Sequence, residues 1–174
     1  MGYAGGTKKN PTYHDLGDHS ETLQVDFDPR QISYGRLLEV YWESHNPETP
    51  AYSRQYASVV FFHDDHQKAA VAASKAALEA QKRRVLTEIF PYSVFYLAEA
   101  YHQKYYLRGV HRLMREFRAI YPSDDDFVRS TAVARANGYV AGYGTEASLD
   151  VDLPMLGLSS AGGMLLKQMV RTQH

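Results

Sequence analysis

Within the first forty residues the spacing of apolar side chains changes period, and this change restricts the fold more than any other feature. From Thr22 to Asp28 the pattern alternates, with Leu23, Val25 and Phe27 on one side and Gln24, Asp26 and Asp28 on the other. A period of two predicts a half-buried strand, which Pro29 ends by removing a backbone donor. From Ser33 onward the period is helical: Leu37, Leu38, Tyr41 and Trp42 share one face, and Ser33 is placed to cap it. Asn46-Pro47 closes this helix, because a residue before proline is pushed out of helical backbone.

The same two periods recur downstream. Tyr56 to Phe62 holds a short continuous apolar run (Val59, Val60, Phe61 and Phe62), which predicts a strand buried on both faces. Asp64 and Gln67 have capping-box spacing before an alanine-rich helix that reaches about Gln81. Arg84 to Ile89 reads as a third strand, stopped by Pro91, and Phe95 to Leu107 as a helix. Val110, Leu113 and Phe117 mark the next helix. Ser123 with Asp124, Asp125 and Asp126 opens another, its acids favoured by the positive end of the helix dipole, and Asn137-Gly138 ends it. Residues 139–174 read as a turn, a short helix, a glycine break and a last amphipathic helix carrying Met164, Leu165, Met169 and Val170. The order β-α-β-α-β-α followed by helices predicts an α/β or α+β domain with a helical C-terminal extension. At 174 residues there is room for one domain of ordinary size.

Composition narrows the function classes. A formal net charge of −1 offers neither nucleic acid nor an anionic membrane a counter-charge. No apolar run approaches the roughly 20 residues that span a bilayer. Met1 to Gly6 has neither the basic region nor the apolar core of a secretion signal, so the expected location is the cytosol. There is no cysteine, which excludes disulfides, thiolate metal sites and a thiol nucleophile within these 174 residues.

The densest polar and aromatic segment runs from Asn10 to Glu21. A loop with Tyr13 and Glu21 at its ends could bring a hydroxyl and a carboxyl into one pocket, able to bind an oxygen and hand it a proton. An ordinary polar turn before an edge strand has the same spacing. His63, Asp64, Asp65 and His66 could suggest a metal cluster, but they lack a closed ligand set and fit a capped helix start better. Glu99 and His102, three apart in the predicted helix, could pair or line a cleft; Tyr rings packing on a core explain that stretch equally well. Gly-x-Gly-x-x-Gly, Walker and Gly-x-Ser-x-Gly patterns are absent from the sequence, which removes support for nucleotide-binding and hydrolase readings.

Taken in order, these segments resemble the A-type peptide methionine sulfoxide reductase family (peptide-methionine (S)-S-oxide reductase). Gly2-Tyr3-Ala4-Gly5-Gly6 and Asn10-Pro11-Thr12-Tyr13 match its Gly-Tyr-x-Gly-Gly and Asn-Pro-Thr-Tyr segments, and His19-Ser20-Glu21 stands where it has His-Ala-Glu. Asp28-Pro29, Ile32-Ser33-Tyr34, Leu37-Leu38 and Trp42-Glu43-Ser44-His45-Asn46-Pro47 continue the match. Gln55-Tyr56-Ala57-Ser58, Thr87-Glu88-Ile89, Phe95-Tyr96, Glu99 and Tyr101-His102-Gln103 complete it. The likeness runs over residues 2–108. It implies a two-layer, ferredoxin-like core of mixed sheet with helices over residues 1–108, and a helical extension, 109–174, packed on it.

The resemblance also implies a reaction. A cysteine thiolate attacks the sulfoxide sulfur, the oxygen is protonated and lost from that sulfur, and the cysteine becomes a sulfenic acid. Carried onto this chain, Glu21 would donate the proton, and Tyr13 and Tyr56 would hydrogen-bond the oxygen. No bound cofactor or metal is implied. The substrates would be oxidised proteins or free methionine sulfoxide, and the reductant thioredoxin or a similar thiol. Three departures stand out. The family's Gly-Cys-Phe-Trp-Gly motif, which carries the nucleophile, is absent. Ala51 to Arg54 lacks the acidic residue of the family's Gly-Asn-Asp loop, and Leu16-Gly17 occupies the neighbourhood of a recycling cysteine. The expectation is an N-terminally truncated member, missing the first strand and helix of the fold and inactive by itself. A missing N-terminal segment would leave a mitochondrial location open. The alternative is a non-catalytic relative that binds sulfoxide or a partner protein.

Overall fold

A computed structural model describes residues 1–81 and 83–173. Its strands are β1 (Gly2–Ala4), β2 (Ser20–Thr22), β3 (Val59–Phe62), β4 (Glu88–Pro91) and β5 (Phe95–Leu97). Its helices are α1 (Tyr34–Glu43), α2 (Asp65–Ala80), α3 (Tyr105–Arg108), α4 (His111–Ile120), α5 (Asp124–Arg129), α6 (Thr131–Val140), α7 (Glu146–Asp152) and α8 (Ser160–Gln173). The class is the expected mixed α/β one with a helical C-terminal part. The strands form two small sheets: antiparallel in the order β2-β1-β5, and a parallel pair, β3-β4.

Local chemistry accounts for the helix starts. Ser33 accepts the Arg36 amide at 3.1 Å, Asp64 that of Gln67 at 2.7 Å and Ser123 that of Asp126 at 3.0 Å, so each predicted cap forms. In β1, Gly2 is required by close approach. A Cβ there would come within 2.2 Å of the Phe95 ring and 2.4 Å of the Tyr96 carbonyl oxygen. Gly5 has φ +83°, a left-handed conformation, and the Phe61 ring lies where its Cβ would be.

Several predicted elements come out differently. The third strand is Glu88–Pro91 rather than Arg84 to Ile89: Arg84 to Thr87 lies outside it, and Pro91 pairs with Phe62 at its end instead of stopping it. Only Thr22 of the alternating segment is in a strand; Leu23 and Val25 are 66% and 52% exposed. Alternation marks a face that could be buried, but β2 pairs with a three-residue neighbour, and the chain has left the sheet before Leu23. Val59 to Phe62 is half-buried rather than enclosed, because its described sheet has two strands and leaves surface uncovered. Phe95 to Leu107 is β5, a 3₁₀ turn at Ala100–His102 and the short α3. Long-range pairing of Phe95, Tyr96 and Leu97 with β1 outweighs their helical spacing. Asn137-Gly138 does not stop α6, which runs on to Val140. The Asn137 side chain accepts the Leu107 amide at 3.1 Å instead.

The chain divides into two compact units, Met1–Glu99 and Ala100–His174. The first holds two small apolar clusters. In one, Leu38, Trp42, Val71 and Val85 join α1 and α2 to β3 and β4; in the other, Tyr3, Leu16 and Ala98 lie on the antiparallel sheet. The second unit has one larger core. Leu107, Leu113, Phe117, Phe127, Val133 and Leu149 are fully buried there, and Leu166 and Val170 of α8 close it.

Candidate functional site

The site grows from the connection between β1 and β2. Residues 5–19 form a loop whose ends are held together by the antiparallel pairing of Tyr3 with Glu21. Two side chains clip its base. His19 is fully buried, and its Nδ1 accepts the Gly6 amide at 3.1 Å. The ring proton therefore sits on Nε2, which donates to the Lys8 carbonyl at 2.8 Å. Asp18 accepts the Thr7 amide at 2.8 Å and the Thr7 hydroxyl at 2.9 Å. These bonds, first the backbone one from Thr7, pull its carboxyl down from 3.8 to about 2.

At the loop's tip, residues 12–15 form a tight turn, with the Asp15 amide donating to the Thr12 carbonyl at 3.0 Å. Tyr13 packs there, half-buried, against the cluster of Tyr3, Leu16 and Ala98. The Tyr13 amide donates to Glu99 Oε1 at 3.0 Å, and the buried Tyr3 hydroxyl donates to Glu99 Oε2 at 2.6 Å. Glu99 follows β5 instead of standing on a helix, so the expected helical face shared with His102 does not form.

A second segment meets the loop. The 3₁₀ turn Arg54–Tyr56 docks on β2, where the Ser20 hydroxyl donates to the Arg54 carbonyl and Gln55 Nε2 donates to Glu21 Oε1, both at 2.8 Å. Arg54 also pairs with Glu88 and lies over the Phe90 ring at 5.6 Å. Two residues beyond the turn, the Ser58 hydroxyl lies 2.8 Å from the Tyr41 hydroxyl and from Thr87 Oγ1. It is 3.0 Å from His45 Nε2, and His45 Nδ1 bonds the Tyr41 carbonyl at 2.8 Å, which makes Nε2 the acceptor.

This docking brings the three predicted residues together. The Tyr56 and Tyr13 hydroxyls hydrogen-bond each other, and that bond, with the nearby Glu21 carboxyl, holds the Tyr56 phenol above its ordinary value of 10. Tyr56 is 54% exposed, so the cluster is open to solvent. With one phenol donating to the other, the pair keeps one phenolic proton for an incoming oxygen atom; both can donate to it only once their mutual bond opens. The carboxyl has one oxygen engaged by Gln55 and a second free of that bond.

Other candidates resolve differently. Asp64 is a helix cap, and His63 stacks on Tyr92 with ring centres 4.2 Å apart. Among the described residues no group of three or more His, Cys, Asp or Glu side chains could hold a metal ion. A cavity between α1 and α2, lined in part by Trp42, Glu43, His45 and Arg83, shares no residue with the tyrosine cluster. Gln55, Asp18, His19 and Glu99 act on the site without having been singled out for those contacts. The contacts join residues 10 to 96 positions apart, which periodicity cannot pair.

With this geometry in place, comparison with known proteins gives the family. The profile of the peptide methionine sulfoxide reductase family matches residues 1–134, and the chain belongs to that family. The match extends beyond the 2–108 read from motifs, into the helical unit. The chain is 41% identical over 165 residues to a peptide methionine sulfoxide reductase of Drosophila melanogaster, covering 91% of this chain and 65% of the relative. It is 49% identical over 119 residues to the peptide methionine sulfoxide reductase MsrA of Methanosarcina mazei, covering 61% of this chain and 56% of the relative. Among solved structures it is similar to Mxr1 of Saccharomyces cerevisiae in reduced form, with a TM-score of 0.58 and 29% identity over 63% of this chain and 69% of that one. The chain thus spans less than two thirds of the length of these first two relatives.

Proposed function

We propose that this chain binds the sulfoxide group of oxidised methionine and serves the oxygen side of its reduction. Tyr13 and Tyr56 hydrogen-bond the sulfoxide oxygen, and Glu21 gives it a proton. The observation that carries this reading is the meeting of the two phenols beside Glu21, drawn from three separate segments. The names of the related proteins support the choice of sulfoxide over other oxygen ligands.

The chemistry assigns each part a task. Reduction joins a thiolate, a sulfoxide and one proton to give a sulfenic acid and a thioether. The thiol sulfur is oxidised by two electrons and the sulfoxide sulfur reduced by two. Negative charge builds on the oxygen as the sulfur is attacked, so preplaced phenolic donors stabilise that state more than the neutral substrate. A carboxylic acid beside them completes the oxygen's neutralisation. These 174 residues contain no cysteine, so the attacking thiolate must come from outside them. The substrate would be methionine sulfoxide, free or in proteins, and the electrons would come from thioredoxin or a similar thiol. The same three side chains without a thiol also fit a sulfoxide-binding relative that performs no chemistry.

Calorimetric titration with a methionine sulfoxide peptide tests the reading. Binding is expected, about ten-fold weaker in Glu21→Ala, on the scale of one charge-assisted hydrogen bond. Turnover with a dithiol reductant is expected to be absent for these residues alone. No heat with the sulfoxide peptide, or equal heat with the thioether peptide, would overturn it.

A further inference from the structure

We infer that Glu99 is a positioning residue of the sulfoxide site: its carboxylate fixes the loop's tip to the sheet and thereby sets the Tyr13 phenol against Tyr56. The inference rests on the functional reading above and adds a residue that reading does not use.

The geometry is specific. Glu99 spends one oxygen on each of two donors that are far apart in sequence. Oε2 takes the hydroxyl of Tyr3, which is 2% exposed at the centre of the antiparallel sheet, and Oε1 takes the backbone amide of Tyr13. Both partners donate, so each carboxyl oxygen of Glu99 acts as an acceptor. The Tyr3 end is buried in the central strand, since β1 lies between β2 and β5. The Tyr13 end is on a turn whose base clips, Asp18 and His19, reach Gly6, Thr7 and Lys8. Removing Glu99 leaves those clips and the packing of Tyr13 on Tyr3, Leu16 and Ala98 in place, and takes away the hydrogen bond that sets the Tyr13 backbone. A bond to the backbone of Tyr13, rather than to its ring, fixes where the phenol starts without using its hydroxyl.

A residue that only anchored the fold would change stability and leave the phenol pair as it was. The readout is therefore the titration of Tyr56, followed by NMR of tyrosines labelled at Cζ and assigned with Tyr56→Phe. In Glu99→Ala the Tyr56 titration is expected to fall toward 10, by about as much as in Tyr13→Phe, which removes the hydrogen bond directly. Glu99→Gln is expected to keep the wild-type titration. Its amide oxygen can accept from Tyr13 while its NH₂ donates to a reversed Tyr3 hydroxyl. Should Glu99→Ala not fold, Glu99→Asp, one methylene too short to span both donors, is expected to give a smaller fall. Affinity for L-methionine sulfoxide should drop about ten-fold alongside the titration shift, the scale of one hydrogen bond to a charged group. A Tyr56 titration unchanged in both Glu99→Ala and Glu99→Asp would overturn the inference. The titration judges Glu99 without any sulfoxide, so absence of sulfoxide binding in wild type counts against the functional reading and not against this one.

Discussion

The two units of this chain are held together by different forces. The second is built around one apolar core, in which side chains from α3 to α8 are buried against each other. The first has two small clusters and relies on long-range polar ties: His19 to Gly6 and Lys8, Asp18 to Thr7, Glu99 to Tyr3 and Tyr13, and Ser58 to Tyr41, His45 and Thr87. Apolar burial is strong and tolerant of direction, so it suits a unit whose task is cohesion. Hydrogen bonds contribute less net free energy but fix angles and distances, which a site made of three separate side chains requires. The site lies in the unit held by polar ties.

Substitutions can break this contrast, and the largest effect is expected in the apolar unit. Phe117→Ala opens a cavity in a fully buried position and should cost about 3–5 kcal/mol, read as a fall in melting temperature of the second unit's helices. Next comes His19→Leu, which keeps the volume but strands the Gly6 amide and the Lys8 carbonyl. Both groups are half-buried, so a cost of about 1 kcal/mol for each lost hydrogen bond is expected, with loss of amide-exchange protection at Gly6.

Acid should act on the first unit's loop. The folded Asp18 carboxyl titrates at about 2, below its ordinary 3.8, so its clip on Thr7 is fully present above about pH 4 and is lost as the pH falls through 2. Exchange of the Thr7 amide should rise over that window while the Phe117 amide stays protected. The smallest effect is expected for Asp125→Ala in α5. Its pair with Arg129 is exposed on both sides, and the change in stability should stay within about 0.5 kcal/mol by denaturant titration.

What could be read from sequence follows the same division. Helix starts at Ser33, Asp64 and Ser123 were legible because a cap is a contact between residues three apart. The apolar helices after Val110 were legible from their period. The strand at Val59–Phe62 was legible from its apolar run, but β1 and β5 were not, since they are three residues each and exist through pairing with partners more than ninety positions away. Leu23 and Val25 show the converse, a strand-like pattern without a strand. Tyr13 and Glu21 stood out as the ends of a polar loop, while Tyr56 came only from likeness to a family. That Gln55 holds Glu21, and Glu99 holds Tyr13, required coordinates.

The central claim is that the two phenols and Glu21 receive a sulfoxide oxygen. It is tested most directly by watching the Cζ resonances of Tyr13 and Tyr56 while L-methionine sulfoxide is added, with L-methionine as the control. The account predicts that both resonances move with the sulfoxide, stay still with the thioether, and respond more weakly in Glu21→Ala. Unchanged tyrosine resonances at saturating sulfoxide, or equal movement with both compounds, would contradict it.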